Sequence, residues 1–294
     1  MDFGIHLPLI EFGDEGQSLA RLRAAVDAAR EAGFAAVSTN DHFIFSAPWL
    51  DGLTALAAVV DAAGDMTLAT TIALAPLRGP VPLAKALAAL DLLSDGRLIA
   101  GVGPGSSKQD YDAVGVPFED RWKRFDDAVV TLRELLRDGV PIWIGSWGSA
   151  AGLRRVARLA DGWLASAYNT TPDQFATARA QLSRELRDRG RPHTSFPNAL
   201  ATMWTWVTES RAERDRVLAD VLAPVVRRDV EELRGRVCVG SADDCAALLA
   251  RYARAGCERV YLWPLGDEAR QIELIASTVL PSVGIAQAVD VDDE

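Results

Sequence analysis

The chain has few cysteines, few histidines, no excess of positive charge and no long apolar run. Its three cysteines, Cys238, Cys245 and Cys257, are odd in number and stand in no metal-ligand spacing. The 31 Lys and Arg residues face 41 Asp and Glu residues, and the resulting net charge of −10 argues against binding to nucleic acid or to an anionic membrane. Every apolar run ends well before the roughly 20 residues of a bilayer-spanning helix. No charged-then-apolar leader stands at the N-terminus, so we expect a cytoplasmic protein without a metal site.

The chain does contain a regular alternation of short β-rich apolar runs and longer amphipathic segments, repeated about every 30 residues. No Pro-, Gly- or Ser-rich linker interrupts it. This alternation predicts an α/β fold, a single (β/α)₈ TIM barrel over residues 1–285 with an insertion around strand 7 to helix 7, followed by an acidic tail at 286–294. An open sheet split between two domains is the alternative. The predicted strands are Asp2–Leu7, Ala35–Thr39, Thr67–Ala73, Leu98–Val102, Pro141–Ile144, Gly162–Ser166, Ala199–Val207 and Arg259–Trp263.

Polar side chains follow the second predicted strand, at the end of the barrel where such folds carry their chemistry. Asp41 and His42 place an acceptor beside a titratable donor, and polar groups at a buried strand end are costly unless they meet a ligand, water or each other. A capping Asp and a structural His are the alternative. His6, after the first strand, is the weaker candidate because a lone histidine is more often packed in the core. No carboxylate stands at ligand spacing to these histidines, so no metal site is expected.

Two further strand ends carry small and hydroxyl side chains. After the third strand, Thr70, Thr71 and Ala73 would let a flat ligand approach the backbone closely, although a tight turn before a Pro-initiated helix explains part of this stretch. After the fifth strand, Gly145–Ser149 leads into a helix whose unpaired N–H groups suit a phosphate, with Ser166 as a further hydroxyl. Simple N-capping by the last residue of that loop is the alternative.

The glycine-rich stretch Gly101–Gly105 first suggests a dinucleotide-binding fold. The Rossmann fingerprint needs a third glycine at the start of the next helix and an acidic residue about 20 residues later. Pro104 interrupts that spacing here, and Ser106–Asp110 does not open an obvious helix. The stretch is therefore not assigned to a pyrophosphate.

Several motifs, taken in order, resemble those of the bacterial luciferase-like flavin oxidoreductases. The resemblance runs from Phe3 to Pro281 and rests on the order and spacing of the motifs, none of which is specific alone. It implies a (β/α)₈ barrel that binds flavin mononucleotide (FMN) or the deazaflavin coenzyme F420 at the C-terminal ends of its strands. The motifs are Asn40–Phe43, Leu77–Lys85, Leu92–Leu98, Gly101–Gly105, Pro141–Ser146, Ala160–Trp163, Val239–Ala247 and Tyr252–Gly256.

Within this family, Asp41 and His42 look like the version found in deazaflavin-dependent members, where the pair lies beside the ring. The resemblance therefore favours F420 over FMN and implies catalytic roles for both residues. It also implies a non-prolyl cis peptide at the end of the third strand, predicted here between Thr70 and Thr71, and a close passage of Gly101–Gly105 along the ring. The implied cofactor contacts are His6, Asp41, His42, Thr70, Thr71, Ala73, Gly103, Gln109 and, for the phosphate, Gly145, Ser146, Trp147, Gly148 and Ser166.

The sequence also departs from the family. Ser106 stands where members that oxidise glucose 6-phosphate carry a catalytic glutamate, and Ser46 stands near their catalytic tryptophan, so sugar-phosphate oxidation is not expected. Trp147 replaces a glycine that is common in the phosphate loop, and Asn169 stands where a lysine can help hold phosphate. Cofactor binding is therefore expected to be weaker or differently arranged.

The resemblance leaves three candidate functions. The favoured one is an F420-dependent oxidoreductase that transfers a hydride between the coenzyme and a small organic substrate, with His42 as proton donor or acceptor. The second is a monooxygenase that uses reduced FMN and oxygen in a pocket that excludes water. The third is a barrel that binds a ligand without catalysis. The resemblance further implies a homodimer formed through barrel helices. We also expect a small-molecule partner, and neither a nucleic-acid nor a membrane partner.

Overall fold

The computed structural model describes residues 1–13, 16–136 and 139–283, and in it parallel β-strands form a sheet that closes on itself. Closure arises because β10 pairs with both β1 and β8, and the predicted (β/α)₈ barrel is confirmed. The acidic tail predicted at 286–294 lies outside the described residues. The strands are β1 (Asp2–His6), β2 (Ala36–Thr39), β3 (Thr67–Thr70), β4 (Ala73–Leu74), β5 (Leu98–Gly103), β6 (Ile142–Gly145), β7 (Gly162–Ser166), β8 (Asn198–Val207), β9 (Cys238–Gly240) and β10 (Arg259–Pro264).

Helices surround the barrel, and the predicted insertion follows the seventh barrel strand, β8. There the chain forms α9, a π-helical segment at Val217–Leu222, α10 and α11 before β9, a short strand that pairs with the end of β8. The helices are α1 (Leu19–Glu31), α2 (Gly52–Ala58), α3 (Ala75–Arg78), α4 (Pro80–Leu93), α5 (Lys108–Ala113), α6 (Arg121–Leu136), α7 (Ala150–Leu159), α8 (Pro172–Arg187), α9 (Arg211–Arg216), α10 (Ala223–Val226), α11 (Val230–Leu233), α12 (Ala242–Arg254) and α13 (Glu268–Leu274).

Two glycines make room for two large rings among the strands. Trp143 on β6 and Tyr261 on β10 belong to a buried cluster whose other members also come from strands. A Cβ atom at Gly162 would lie 2.4 Å from the Trp143 ring, and one at Gly4 would lie 2.6 Å from Cδ1 of Tyr261. The barrel interior is therefore a packed core in which the two large rings occupy the space left by the glycines.

The third barrel strand is interrupted between β3 and β4. The N–H of Thr71 still donates to the carbonyl of Thr39 on β2 at 2.6 Å, and the following peptide, Thr71–Ile72, is cis. The cis peptide predicted between Thr70 and Thr71 is thus wrong by one position, because pairing with β2 continues through Thr71.

The glycines of Gly101–Gly105 make room for this third strand. At the C-terminal ends of the strands, Ile72 and Gly105 line a cavity whereas Gly103 does not. The expected close passage of Gly101–Gly105 along a ring stays a prediction. A Cβ atom would lie 1.9 Å from the Thr70 carbonyl oxygen if added at Gly101, 2.1 Å from Cδ1 of Ile72 if added at Gly103, and 2.8 Å from Cδ2 of Leu74 if added at Gly105.

Within the described ranges, every helix is too short or too polar to cross a membrane. The same part of the chain holds no group of three or more His, Cys, Asp or Glu side chains arranged to bind a metal ion. Cys238, Cys245 and Cys257 are buried and free.

Candidate active site

A cavity of ≈ 490 Å³ opens at the C-terminal ends of the barrel strands. Most of its wall comes from strand ends, with Asn40 after β2, Pro104 after β5, Gly145 on β6 and Ser166 on β7, and Thr202 joins them from within β8. The volume lies within the range of small-molecule sites, and the position is the one at which barrels of this kind carry their ligands. We therefore take this cavity as the candidate active site.

His42 lines the cavity and is held by a buried carboxylate. Its Nδ1 lies 2.9 Å from Oδ2 of Asp110, and the Asp110 side chain is 2% exposed against 27% for His42. The other oxygen of Asp110 accepts the N–H groups of Phe43 at 2.9 Å and Ile44 at 2.8 Å. Trp49 packs edge-on against the imidazole, with ring centroids 4.7 Å apart. Asp110 thus fixes both the imidazole and the backbone that follows it.

This hydrogen bonding determines which nitrogen of His42 is available. Burial alone would raise the pKa of Asp110, but the hydrogen bonds from His42 and from the N–H groups of Ile44 and Phe43 lower that pKa below its usual value. The carboxylate is therefore ionised at neutral pH and can only accept, so Nδ1 of His42 carries the hydrogen between them. Nε2 is then the ring nitrogen left to exchange a proton with a ligand.

Asp41 also lines the cavity, but its carboxylate is already engaged. Arg78 donates from Nη2 to Oδ1 and from Nε to Oδ2, both at 2.6 Å, and the N–H of Leu74 donates to Oδ2 at 3.1 Å. Arg78 also pairs with Asp51, the N-cap of α2. Burial would lower the pKa of Arg78, but the two carboxylates raise it above its usual value. Asp41 therefore ties the β2 loop to α3 in a bidentate ion pair.

His6 is fully buried and does not reach the cavity wall. Its ring stacks on Trp263 with centroids 3.5 Å apart, and its Nδ1 donates to the carbonyl of Leu7 at 2.7 Å. Burial lowers the pKa of His6 to about 3, so the imidazole is neutral at physiological pH. In this position His6 is a packed core residue.

The loop after β6 combines serine hydroxyls with the start of a helix. Ser149 caps α7 by accepting the N–H of Gly152 at 3.2 Å, and the earlier first-turn N–H groups of a helix have no partner within it. A Cβ atom at Gly152 would lie 2.3 Å from Oγ of Ser146, so the glycine lets this hydroxyl lie against the helix start. Both serines line the cavity. The arrangement suits an anionic group such as a phosphate.

Two arginines bring positive charge to the cavity of this acidic chain. The guanidinium of Arg121 lies over the Phe118 ring at 3.9 Å from its centroid, and that of Arg155 lies 4.6 Å from the centroid of the Trp122 ring. Arg155 also pairs with Asp126. Asp41 and Asp110 also line the cavity, so its charge is mixed, and the two guanidinium groups are the cationic groups that an anionic part of a ligand could meet.

Another part of the wall, at Ser166 and Thr202, carries a series of hydrogen bonds. Arg228 donates from Nη2 to Oδ1 of Asn169 at 2.9 Å, and Nδ2 of Asn169 donates to Oγ of Ser166 at 3.1 Å. Oγ of Ser166 lies 2.8 Å from Oγ1 of Thr202, which donates to the carbonyl of Ala201 at 2.7 Å. The insertion after β8 is thereby connected to the cavity.

The structure brings seven of the thirteen predicted contact residues to the cavity and leaves six outside its wall. Those at the wall share a position at a strand end or in the loop after it. They are Asp41, His42, Thr71, Gly145, Ser146, Trp147 and Ser166, whereas His6, Thr70, Ala73, Gly103, Gln109 and Gly148 do not line it.

The structure also shows why the predicted residues that do not line the cavity lie elsewhere. Thr70 and Ala73 belong to the sheet: the Thr70 hydroxyl donates to the Gly101 carbonyl at 2.6 Å, and Ala73 pairs with β5. Gly148 has a φ of +91° and faces α8, where an added Cβ would lie 3.1 Å from Cβ of Ala178. Gln109 is exposed because the phase of α5 turns its neighbour Asp110 inward.

The sequence reading missed Asp110, Arg121, Arg155 and Thr202. A signal for the first existed: Ser107 accepts the N–H of Asp110 as the N-cap of α5, and a serine followed three residues later by an acid is a helix-start pattern. The expectation that no helix opens in Ser106–Asp110 is therefore wrong. The two arginines carry no local signal, because a basic residue on an amphipathic helix is ordinarily solvent-facing.

Comparisons with known proteins identify the family to which the chain belongs. The family model described as luciferase-like monooxygenase matches residues 1–259. An uncharacterized protein of Mycobacterium tuberculosis is 27% identical over 175 residues, which cover 52% of this chain and 59% of the relative. The match thus spans little more than half the length of that relative. The F420-dependent glucose-6-phosphate dehydrogenase of Amycolatopsis mediterranei is 24% identical over 315 residues, with 87% of this chain and 92% of the relative covered.

Solved structures share the fold. An F420-dependent secondary alcohol dehydrogenase in complex with an F420-acetone adduct superposes with a TM-score of 0.83 at 16% identity, covering 96% of this chain and 98% of the other. The oxygenating constituent of the 3,6-diketocamphane monooxygenase of Pseudomonas putida, in complex with FMN, gives a TM-score of 0.72 at 16% identity, with the same coverage. The chain belongs to the luciferase-like monooxygenase family, whose named relatives here are oxidoreductases.

Proposed function

We propose that the protein is an F420-dependent oxidoreductase that transfers a hydride between the coenzyme and a small organic substrate. The observation that carries the proposal is the pairing of His42 with the buried, ionised Asp110 at the cavity. A hydride transfer to or from a carbonyl or alcohol needs a matching proton transfer, and an oriented imidazole is the commonest group for that task. The coenzyme supplies the hydride chemistry when bound.

The residues of the cavity fit such a coenzyme. Its volume of ≈ 490 Å³ suits a tricyclic ring, and the small wall residues Thr71 and Gly145 leave space beside it. Ser146 and Ser149 at the start of α7 would hold the phosphate of the coenzyme. Arg121 and Arg155 would favour the negative charge of its side chain.

In this proposal each residue near the ring has one task. Nε2 of His42 gives a proton to the substrate oxygen or takes one from it, according to the direction of the reaction. Asp110 holds the imidazole by its Nδ1–H and so directs Nε2 to the ligand. Asp41 acts through position, since Arg78 occupies both of its oxygens. We therefore assign the catalytic role to His42 and a supporting role to Asp41.

The named relatives support F420 as the coenzyme. Both the dehydrogenase of Amycolatopsis mediterranei and the secondary alcohol dehydrogenase are F420-dependent by name. We do not extend the proposal to glucose 6-phosphate, because Ser106 stands where the resemblance places a catalytic glutamate for that substrate and Ser46 stands near the position of a catalytic tryptophan. The substrate class of the secondary alcohol dehydrogenase is the more suitable starting point for assays.

A monooxygenase that uses reduced FMN and oxygen is the second candidate. It is favoured by the superposition on the 3,6-diketocamphane monooxygenase, which was solved with FMN. In that case His42 and the aromatic residues Phe45 and Trp49 packed around it would serve to exclude water from the cavity.

Titration of the purified protein with oxidised F420 and with oxidised FMN separates these functions. We expect saturable binding of F420, followed by its reduction when secondary alcohols are added. Binding of FMN with none of F420 would refute the proposal in favour of the monooxygenase. Binding of neither would leave the non-catalytic barrel as the better description. Cytoplasmic residence, a homodimer and the absence of a nucleic-acid partner stay predictions.

A further inference from the structure

The hydrogen bonds from Arg228 to Ser166 have a defined donor and acceptor at each step, and Arg228 determines them. A guanidinium can only donate, so the Asn169 atom that faces Arg228 at 2.9 Å is the amide oxygen. The amide nitrogen of Asn169 therefore faces Ser166 and donates to its oxygen at 3.1 Å. Arg228, in the insertion after β8, therefore fixes the orientation of the Asn169 amide. Through it, Arg228 makes Ser166 the acceptor of the hydrogen bond from Asn169.

At Thr202, the last side chain in this series of hydrogen bonds, a backbone carbonyl fixes the direction. A carbonyl can only accept, so the hydroxyl hydrogen of Thr202 goes to Ala201 at 2.7 Å. Oγ1 of Thr202 must then accept the hydroxyl hydrogen of Ser166 across their 2.8 Å contact. Both hydroxyl hydrogens are used, and each oxygen keeps one free lone pair. Both residues line the cavity, so a ligand meets two acceptors here.

The backbone beneath Thr202 adds an independent observation. Leu200 pairs with Val260 and Met203 pairs with Leu262, so β8 carries one more residue than β10 between these pairs. Thr202 sits on this bulge with a φ of +56°, a left-handed conformation that β-branched residues rarely adopt. Bulges beside active sites redirect a side chain, and such backbone strain concentrates at functional positions. The strand is distorted at the residue that places its hydroxyl against Ser166.

We propose that Ser166 and Thr202 form a hydrogen-bond acceptor subsite, which takes a ligand group carrying an O–H or N–H hydrogen, and that Arg228 holds this polarity through Asn169. An ionised phosphate, which offers only acceptors, is disfavoured at this wall and is left to the loop after β6. The inference rests on the proposed function in one respect, namely that the cavity holds a flavin-type ring or its substrate. The imide N–H of the ring and a substrate hydroxyl are the two sources of the hydrogen.

The first arm of the test measures dissociation constants for F420 and FMN, each with and without a methyl group on the imide nitrogen. If the ring supplies the hydrogen, methylation weakens binding to the unaltered protein by about tenfold. The penalty shrinks to about threefold or less in Thr202→Val and Ser166→Ala, and Thr202→Ser, which keeps the hydroxyl, restores it. Thr205→Val is the matched control, because its hydroxyl bonds a carbonyl on the same strand away from the cavity wall.

The second arm compares secondary alcohols with their methyl ethers on the coenzyme-saturated protein, through the change in coenzyme absorbance. If the unaltered protein binds the alcohols more tightly than the ethers and Thr202→Val loses this preference, the substrate is the source of the donated hydrogen. Arg228→Met should reduce the discrimination found in either arm, whereas Arg227→Met, at the adjacent exposed position, should not. Coenzyme binding without discrimination in either arm overturns this inference alone. Failure of both coenzymes to bind overturns it together with the proposed function.

Discussion

Nδ1 of His42 lies 2.9 Å from Oδ2 of Asp110, although 68 positions separate the two residues in the chain. The contact joins the loop after β2 to the start of α5, and both are placed at one end of the barrel by parallel strands. Because the same carboxylate accepts the N–H groups of Phe43 and Ile44, it orients the imidazole and the backbone together. The imidazole that we propose as the proton-transferring group is thereby held in one orientation before any ligand arrives.

Replacing His42 with alanine should separate function from stability. We expect turnover to fall by about a hundredfold or more, in line with the usual contribution of a positioned acid or base. The free energy of unfolding should fall by only about 1–2 kcal/mol, because the His42 side chain is partly exposed and the buried Asp110 carboxylate keeps its two backbone N–H donors. Steady-state kinetics and urea unfolding measure the two effects. A loss of stability that accounts for the whole loss of activity would instead indicate a structural role.

The stability contributed by Asp110 should depend on pH in a defined direction. The folded protein holds the pKa of Asp110 below its usual value, so the ionised form stabilises the fold. This contribution is present above the pKa of an unfolded Asp, about 4, and is lost as the pH falls through the lower folded value. The difference in unfolding free energy between the unaltered protein and Asp110→Asn should therefore narrow on acidification below about pH 4. Urea unfolding across this range checks it, and a gap independent of pH would contradict it.

Breaking the ion pair between Arg78 and Asp41 should destabilise the fold strongly. Arg78→Met leaves a carboxylate with a 4% exposed side chain without its charged partner, a change that typically costs about 3 kcal/mol or more. Arg30→Met is the control, because Arg30 and Asp27 are both about half exposed and such pairs contribute less than about 1 kcal/mol. Chemical unfolding of both variants checks the contrast, and similar losses in the two would show that Asp41 is not held by this pair.

The close contact between β5 and the third barrel strand should leave no room for a side chain at Gly101. In Gly101→Ala the new Cβ would lie 1.9 Å from the backbone oxygen of Thr70, so the sheet must shift at a cost of about 1–3 kcal/mol. Gly13→Ala is the control, because nothing lies within 4 Å of a Cβ placed there. The thermal midpoint of unfolding should fall for the first variant and stay close to the unaltered value for the second.

The fold could be predicted because the alternation of strands and helices is a local property of the sequence. Asp41 and His42 were identified for the same reason, since both follow a recognisable buried strand. Asp110 was missed in favour of its neighbour Gln109, because the phase of a helix of six residues is set by its packing. Thr202 could not be found, since its exposure to the cavity depends on a bulge that is defined only by pairing with β10.

The glycine at position 103 allows the cavity to be altered from outside its wall. Gly103 does not line the cavity, but a methyl group there would lie 2.1 Å from the tip of the Ile72 side chain, which does. Substitution at Gly103 must therefore move Ile72 or be matched by a smaller residue at 72. We therefore expect paired substitutions at positions 103 and 72 to change the shape of the cavity without altering any of its polar groups.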